Sequence, residues 1–145
     1  MAIKTYKNND KTKLNEYLNV QNFKCKCGGK HDILIDDKLV KLLYDLAKNF
    51  ESKYKQKVCI NIKSGYRCSK HDKKVGGSGK GSHTKGQAAD MWITLIKTSK
   101  IIPSQDICLT LEDMGHKKGI GYRCGGVKNE KGITHVDTKN RQWYG

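Results

Sequence analysis

Residues 81–91 read GSHTKGQAADM, and the fold turns on what His83 and Asp90 do there. The histidine stands seven residues ahead of the aspartate, with Gly86, Ala88 and Ala89 between them. The segment QAADMWITLI alternates as a strand does. Ala88, Asp90, Trp92 and Thr94 fall on one side, and Ala89, Met91, Ile93 and Leu95 on the other. An acidic side chain in so apolar a strand is costly to bury unless a cation or several donors meet it. The pattern therefore asks for a cation or several donors at Asp90, and for a close approach of backbone and metal that the small residues around it would permit.

Outward from that strand, the flanking segments supply a core. In DKLVKLLYDLAKNFESKYKQ, the residues Leu39, Leu43, Leu46, Phe50 and Tyr54 recur at three- and four-residue steps, which predicts an amphipathic helix capped by Asp36 or Asp37. KVCINIKSGYR alternates through Val58, Ile60 and Ile62 and reads as a strand ending at Tyr66 and Arg67. Ser69 is placed to cap a short helical turn, and the glycine-dense run up to Gly86 predicts an unusual backbone path rather than a linker. SQDICLTLEDMG predicts a helix with Ile107, Cys108, Leu111 and Met114 inward and Gly115 as its stop. GIGYRCGGVKNEKGITHVDTK predicts a hairpin whose second strand shows Ile133, His135 and Asp137 on one face.

At 145 residues, one domain over 1–145 is expected, with residues 1–36 a polar, turn-rich leading segment anchored by Phe23 and the core at about 37–141. The fold class is α+β: helices packed on one small, mostly antiparallel sheet, with the metal on the open sheet face. No apolar run is long enough for a membrane span, and no secretory signal precedes the first elements. The reading is of a chain made in the cytoplasm, and a monomer.

The formal charge of +15, from 29 Lys and Arg against 14 Asp and Glu, favours polyanionic partners. The anionic polymers of a bacterial envelope suit it. Nucleic acid ranks well behind, because neither an aromatic-basic strand motif nor a recognition helix is present. Six cysteines are irregularly spaced. Cytosolic thiols are the default; Cys25, Cys27 and His31 would make part of a structural zinc site, but no second close cysteine pair completes it.

His83, Asp90 and His135 together make a three-ligand set. Zinc accepts imidazole nitrogen and carboxylate oxygen, and its catalytic sites keep a fourth position open. His31, His71 and His116 do not fit this set: His71 sits in a charged turn, and His116, beside two lysines, reads as a solvated loop residue.

The run SGYRCSKHDKKVGGSGKGSHTKGQAADM, with the later GIGYR and THVDTK and the leading FKCKCGG, resembles the zinc D-alanyl-D-alanine carboxypeptidase family over residues 23–141. That family includes phage and bacterial L-alanyl-D-glutamate endopeptidases and shares its zinc-site fold with the hedgehog signalling domain. The resemblance implies one zinc bound by His83, Asp90 and His135, and a peptidase acting on peptidoglycan stem peptides at the bacterial cell wall, endolysin-like. It implies that Arg67 holds a substrate carboxylate or steadies an oxyanion, with Ser82 and Gln87 as substrate-side residues that orient a ligand. The acidic residue many relatives place three positions before the last histidine is here Gly132. Asp137 is then the first candidate for the general base, or else a partner of a ligand histidine, and Glu130 is the second. A zinc-containing module that binds cell wall or protein without catalysis is the alternative reading.

Overall fold

The protein is described here by a computed structural model in which residues 3–121, 133–139 and 143–144 are placed. In chain order come β1 (Ile3–Tyr6), a 3-10 turn (Val20–Phe23), β2 (Ile33–Asp36), α1 (Asp37–Tyr54), β3 (Val58–Ser64) and α2 (Ser69–Lys74). A second 3-10 turn (Ser82–Lys85), β4 (Ala88–Leu95), α3 (Ser104–Asp113), β5 (Gly119–Gly121), β6 (Thr134–Asp137) and β7 (Trp143–Tyr144) follow.

Helix α1 forms for the reasons its sequence suggests. Leu39, Leu43, Leu46 and Phe50 are fully buried, and each such side chain contributes about 1.5–3 kcal/mol by removal from water. Asp36 is the capping residue, accepting the Lys38 N–H at 3.0 Å. Lys55, in the left-handed region at φ 56°, ends the helix. The stripe packs on β2, β3 and β4 and touches α3.

Among the described residues the main sheet has the order β3-β4-β6-β5-β7, antiparallel except for β5 beside β7. Ala89, Met91, Ile93 and Leu95 of β4 point into the core with Val58 and Ile60 of β3 and Val136 of β6. The opposite face, which carries Asp90, is left to the site. This is the α+β arrangement expected, with β5 and β6 as the two arms of the expected hairpin. In α3, Ile107 and Leu111 are buried while Cys108 is only partly so, and Gly115 follows at φ +83°.

Two local expectations are corrected. Residues 1–36 are not merely a polar lead-in. β1 and β2 form a second, two-stranded antiparallel sheet, and Leu18, Val20, Phe23, Ile33 and Ile35 belong to the same core cluster as α1. The cap of α2 is Cys68 and not Ser69: Cys68 Sγ accepts the His71 N–H at 3.4 Å, while the Ser69 hydroxyl donates to the Gly79 carbonyl at 2.8 Å.

Candidate metal centre

The site is built on sheet register. Asp90 and His135 are direct partners across β4 and β6, so their side chains emerge side by side on the open face. His83 arrives from the 3-10 turn beside them. That turn closes on Gly86, whose φ of +72° is left-handed. A Cβ there would come within 2.3 Å of the Leu34 carbonyl oxygen. Gly86 also accepts the Asp36 N–H at 2.8 Å. The small residue between His83 and Asp90 therefore serves packing against β2, not approach to a metal.

The histidine rings are held by partners that settle which nitrogen faces inward. His83 Nδ1 lies 2.8 Å from the Gly65 carbonyl oxygen and donates to it, which turns Nε2 toward Asp90 Oδ1 at 3.4 Å. His135 presents Nδ1 to the same Asp90 oxygen at 2.9 Å. Its Nε2 lies 2.9 Å from Asp137 Oδ2. The ring centroids of His83 and His135 are 5.3 Å apart, and one donor atom from each of the three residues falls within 4.8 Å of the others. Burial pushes the Asp90 carboxyl up, but hydrogen bonds from His135 and His83 outweigh it and hold the group well below the usual carboxylate range. For His135, burial acts downward, yet Asp137 and Asp90 raise its pKa above the ordinary value. Two imidazole nitrogens and one carboxylate oxygen, each oriented by a further acceptor or donor, are a donor set that zinc takes. The residues fit the metal.

Asp137 partners His135 directly. It is fully buried, engages the outward nitrogen of His135, and accepts the N–H groups of Gly119 at 3.1 Å and Lys139 at 3.2 Å. These contacts are the ones the second expectation for Asp137 describes, a carboxylate that partners His135. Glu130 lies outside the described residues.

Arg67 is at the site. Its Nη2 is 3.3 Å from Asp90 Oδ2, its Nη1 3.0 Å from Asp72 Oδ1, and its Nε donates to Ser64 Oγ at 2.9 Å. Asp72, which the sequence reading passed over, is nearly inaccessible, at 3% exposure. Burial acts upward on its carboxyl, but the Arg67 guanidinium and the Gly79 N–H hold it below its ordinary range. Asp72 stands five positions after Arg67, inside α2, while Arg67 precedes the helix, so no i,i+3 or i,i+4 spacing marked the pair in the sequence. Arg67 and Asp90 line a cleft of about 360 Å³ with Lys26, Lys63, Ser64 and His71.

Ser82 is buried beside His83, its carbonyl accepting the Gln87 N–H at 3.0 Å. Gln87 lines a different cleft, of about 480 Å³, with Lys38, Leu42, His116, Lys118 and Thr138. It precedes β4 on the opposite side from Asp90, so the structure does not bring it to the three ligands. His116 is not a solvated loop residue. The turn after α3, where its N–H meets the Leu111 carbonyl at 3.0 Å, carries the ring inward. Its Nε2 is buried without a hydrogen-bond partner among the described residues, and burial lowers its pKa. His71 is half-buried, lining the Arg67 cleft. No helix among the described residues is long and apolar enough to cross a membrane.

A family model described as Peptidase M15 matches residues 16–137. No curated protein and no solved structure matches the chain.

Proposed function

The chain belongs to the peptidase M15 family, the zinc D-Ala-D-Ala carboxypeptidase-like metallopeptidases, and from that premise we propose that it hydrolyses the peptide stems of bacterial peptidoglycan. The observation that carries this reading is the His83, Asp90 and His135 set on the open sheet face, beside a cleft lined by Lys26, Lys63, Arg67 and His71. Stem peptides end in carboxylates, and a cationic cleft favours them over neutral peptides.

When bound, zinc lowers the pKa of a water and polarises a carbonyl, the two things amide hydrolysis needs. The chain's own residues prepare the site for it. The Gly65 carbonyl and the Asp137 carboxylate fix the His83 and His135 tautomers. Arg67 steadies Asp90 and, with three of its five N–H groups engaged by Ser64, Asp72 and Asp90, keeps donors for a substrate carboxylate or a developing oxyanion. Ser82 opens the 3-10 turn that carries His83. Glu130 is the proposed proton acceptor in place of Asp137. The enzyme acts at the cell wall, where its positive charge also suits anionic wall polymers.

Zinc-loaded protein and its His83→Ala variant, incubated with purified peptidoglycan, test this by mass spectrometry of the released fragments. Free D-alanine identifies a carboxypeptidase, and stems newly ended at L-alanine identify an endopeptidase. No cleavage by the zinc-loaded wild type across several wall types overturns the peptidase reading in favour of a binding module.

A further inference from the structure

The cysteine cluster that the sequence left incomplete is completed in space. Cys25, Cys27 and His31 lie in one loop, and Cys68 reaches them from the turn after β3. One ligand atom from each of the four residues falls within 4.8 Å of the others. Cys68 was missed because it stands 43 residues from Cys25 and has no close cysteine neighbour.

The four side chains bring metal-ligating atoms close together. Cys25 Sγ and Cys68 Sγ are 3.9 Å apart. Two thiolates bound to one tetrahedral zinc at about 2.3 Å stand about 3.8 Å apart, whereas a disulfide needs about 2.05 Å. Cys27 Sγ and His31 Nε2 are in contact at 2.8 Å. Three backbone N–H groups point at the three sulfurs: Gly29 to Cys27 at 3.2 Å, Cys68 to Cys25 at 3.4 Å, and His71 to Cys68 at 3.4 Å. Such donors stabilise thiolates over thiols. The loop is shaped for the cluster as well. A Cβ on Gly29 would press on Cys27 Sγ and His31 Cδ2, both at 3.3 Å, and Gly28 takes the turn at φ +80°. Three thiolates and a neutral imidazole around a divalent ion leave one net negative charge, and Lys26, Lys70 and Lys74 line a cavity of about 470 Å³ with Cys27, His31 and Cys68.

We propose that Cys25, Cys27, His31 and Cys68 form a second metal site, closed and structural, with zinc as its occupant, distinct from the His83, Asp90 and His135 centre. Four protein ligands leave no open position, which separates a structural from a catalytic site. The clamp ties the loop between the first 3-10 turn and β2 to the residue next to Arg67. The two residues before Cys68 are already pinned: the Tyr66 N–H donates to the Phe23 carbonyl at 2.9 Å and the Arg67 N–H to the His83 carbonyl at 3.1 Å. Lys26 and His71 line both the cluster cavity and the Arg67 cleft, so the metal also sets one wall of that cleft. The proposal stands whether or not the protein is a peptidase.

The test is the metal content of protein purified under reducing conditions, paired with the absorption spectrum of the cobalt-substituted chain. Wild type should carry two equivalents. His83→Ala should keep one, and its cobalt form should show thiolate-to-cobalt charge transfer in the near ultraviolet. A Cys27→Ser, His31→Ala double variant should lose one equivalent and that band. If the double variant does not fold, the His83→Ala spectrum decides alone. A His83→Ala chain holding no metal, or a cobalt spectrum without the thiolate band, overturns the proposal. So does an intact mass two hydrogens light with Cys25 and Cys68 found in one disulfide-linked peptide.

Discussion

Two clusters of metal-ligating side chains lie on either side of Arg67, and they are built in opposite ways. Asp90 and His135 rest on strand register, paired across β4 and β6, a 3-10 turn brings His83 beside them, and buried acceptors fix both rings. Three ligands leave room for a reactant. Cys25, Cys27, His31 and Cys68 come from loops, are partly exposed, and fill all four positions themselves. A sheet can hold an incomplete set rigid without the metal, whereas a loop cluster depends on the metal to hold its shape. The difference separates a site for chemistry from a site for construction.

The largest effects should come from substitutions that empty one site at a time. His83→Ala should reduce stem-peptide hydrolysis to background with little change in melting temperature. Cys68→Ser should lower the melting temperature and make it insensitive to added zinc, read by calorimetry with and without chelator. Equal losses of activity and stability from both variants would erase the distinction.

Next in size, Arg67→Ala leaves the Asp72 carboxylate buried without its partner. Removing one member of a buried pair costs about 3 kcal/mol, to be read from urea unfolding. Asp137→Asn should weaken metal affinity or activity by about 10–100-fold. Loss of metal affinity at the His83 site marks an orienting carboxylate, while a fall in kcat with metal affinity unchanged would restore Asp137 as the base.

The smallest effect is a pH dependence. The Asp72 carboxyl is held below its ordinary value in the folded chain. Its contribution to stability is therefore present above the unfolded pKa of about 3.9 and lost as pH falls through the folded value. Asp72→Asn should flatten the acid limb of the stability curve below about pH 4. An unchanged acid limb would contradict the pairing with Arg67.

What the sequence made legible follows from where each signal sits. α1 and β4 announce themselves because each is one continuous periodic run. The candidate ligand set is legible because His83 and Asp90 share one short stretch and His135 lies in a second. β1 and β2 were hidden: IKTY and ILID are four residues each, too short for periodicity, and they pair across nearly thirty residues of chain. Cys68 was hidden by the same long closure. The role of Asp137 is left open by the sequence, because strand parity puts it on the His135 face without revealing that its carboxylate meets the His135 Nε2. The role of Gly86 was misjudged because its neighbour, Leu34, lies on a strand that had not been foreseen.

The most direct measurement is a zinc titration of chelator-stripped protein, with stem-peptide hydrolysis and bound metal followed together. Activity should appear only with the equivalent that the His83→Ala variant fails to bind, and that variant should stay inactive at every zinc concentration. Hydrolysis by His83→Ala at the wild-type rate would contradict the account at its centre.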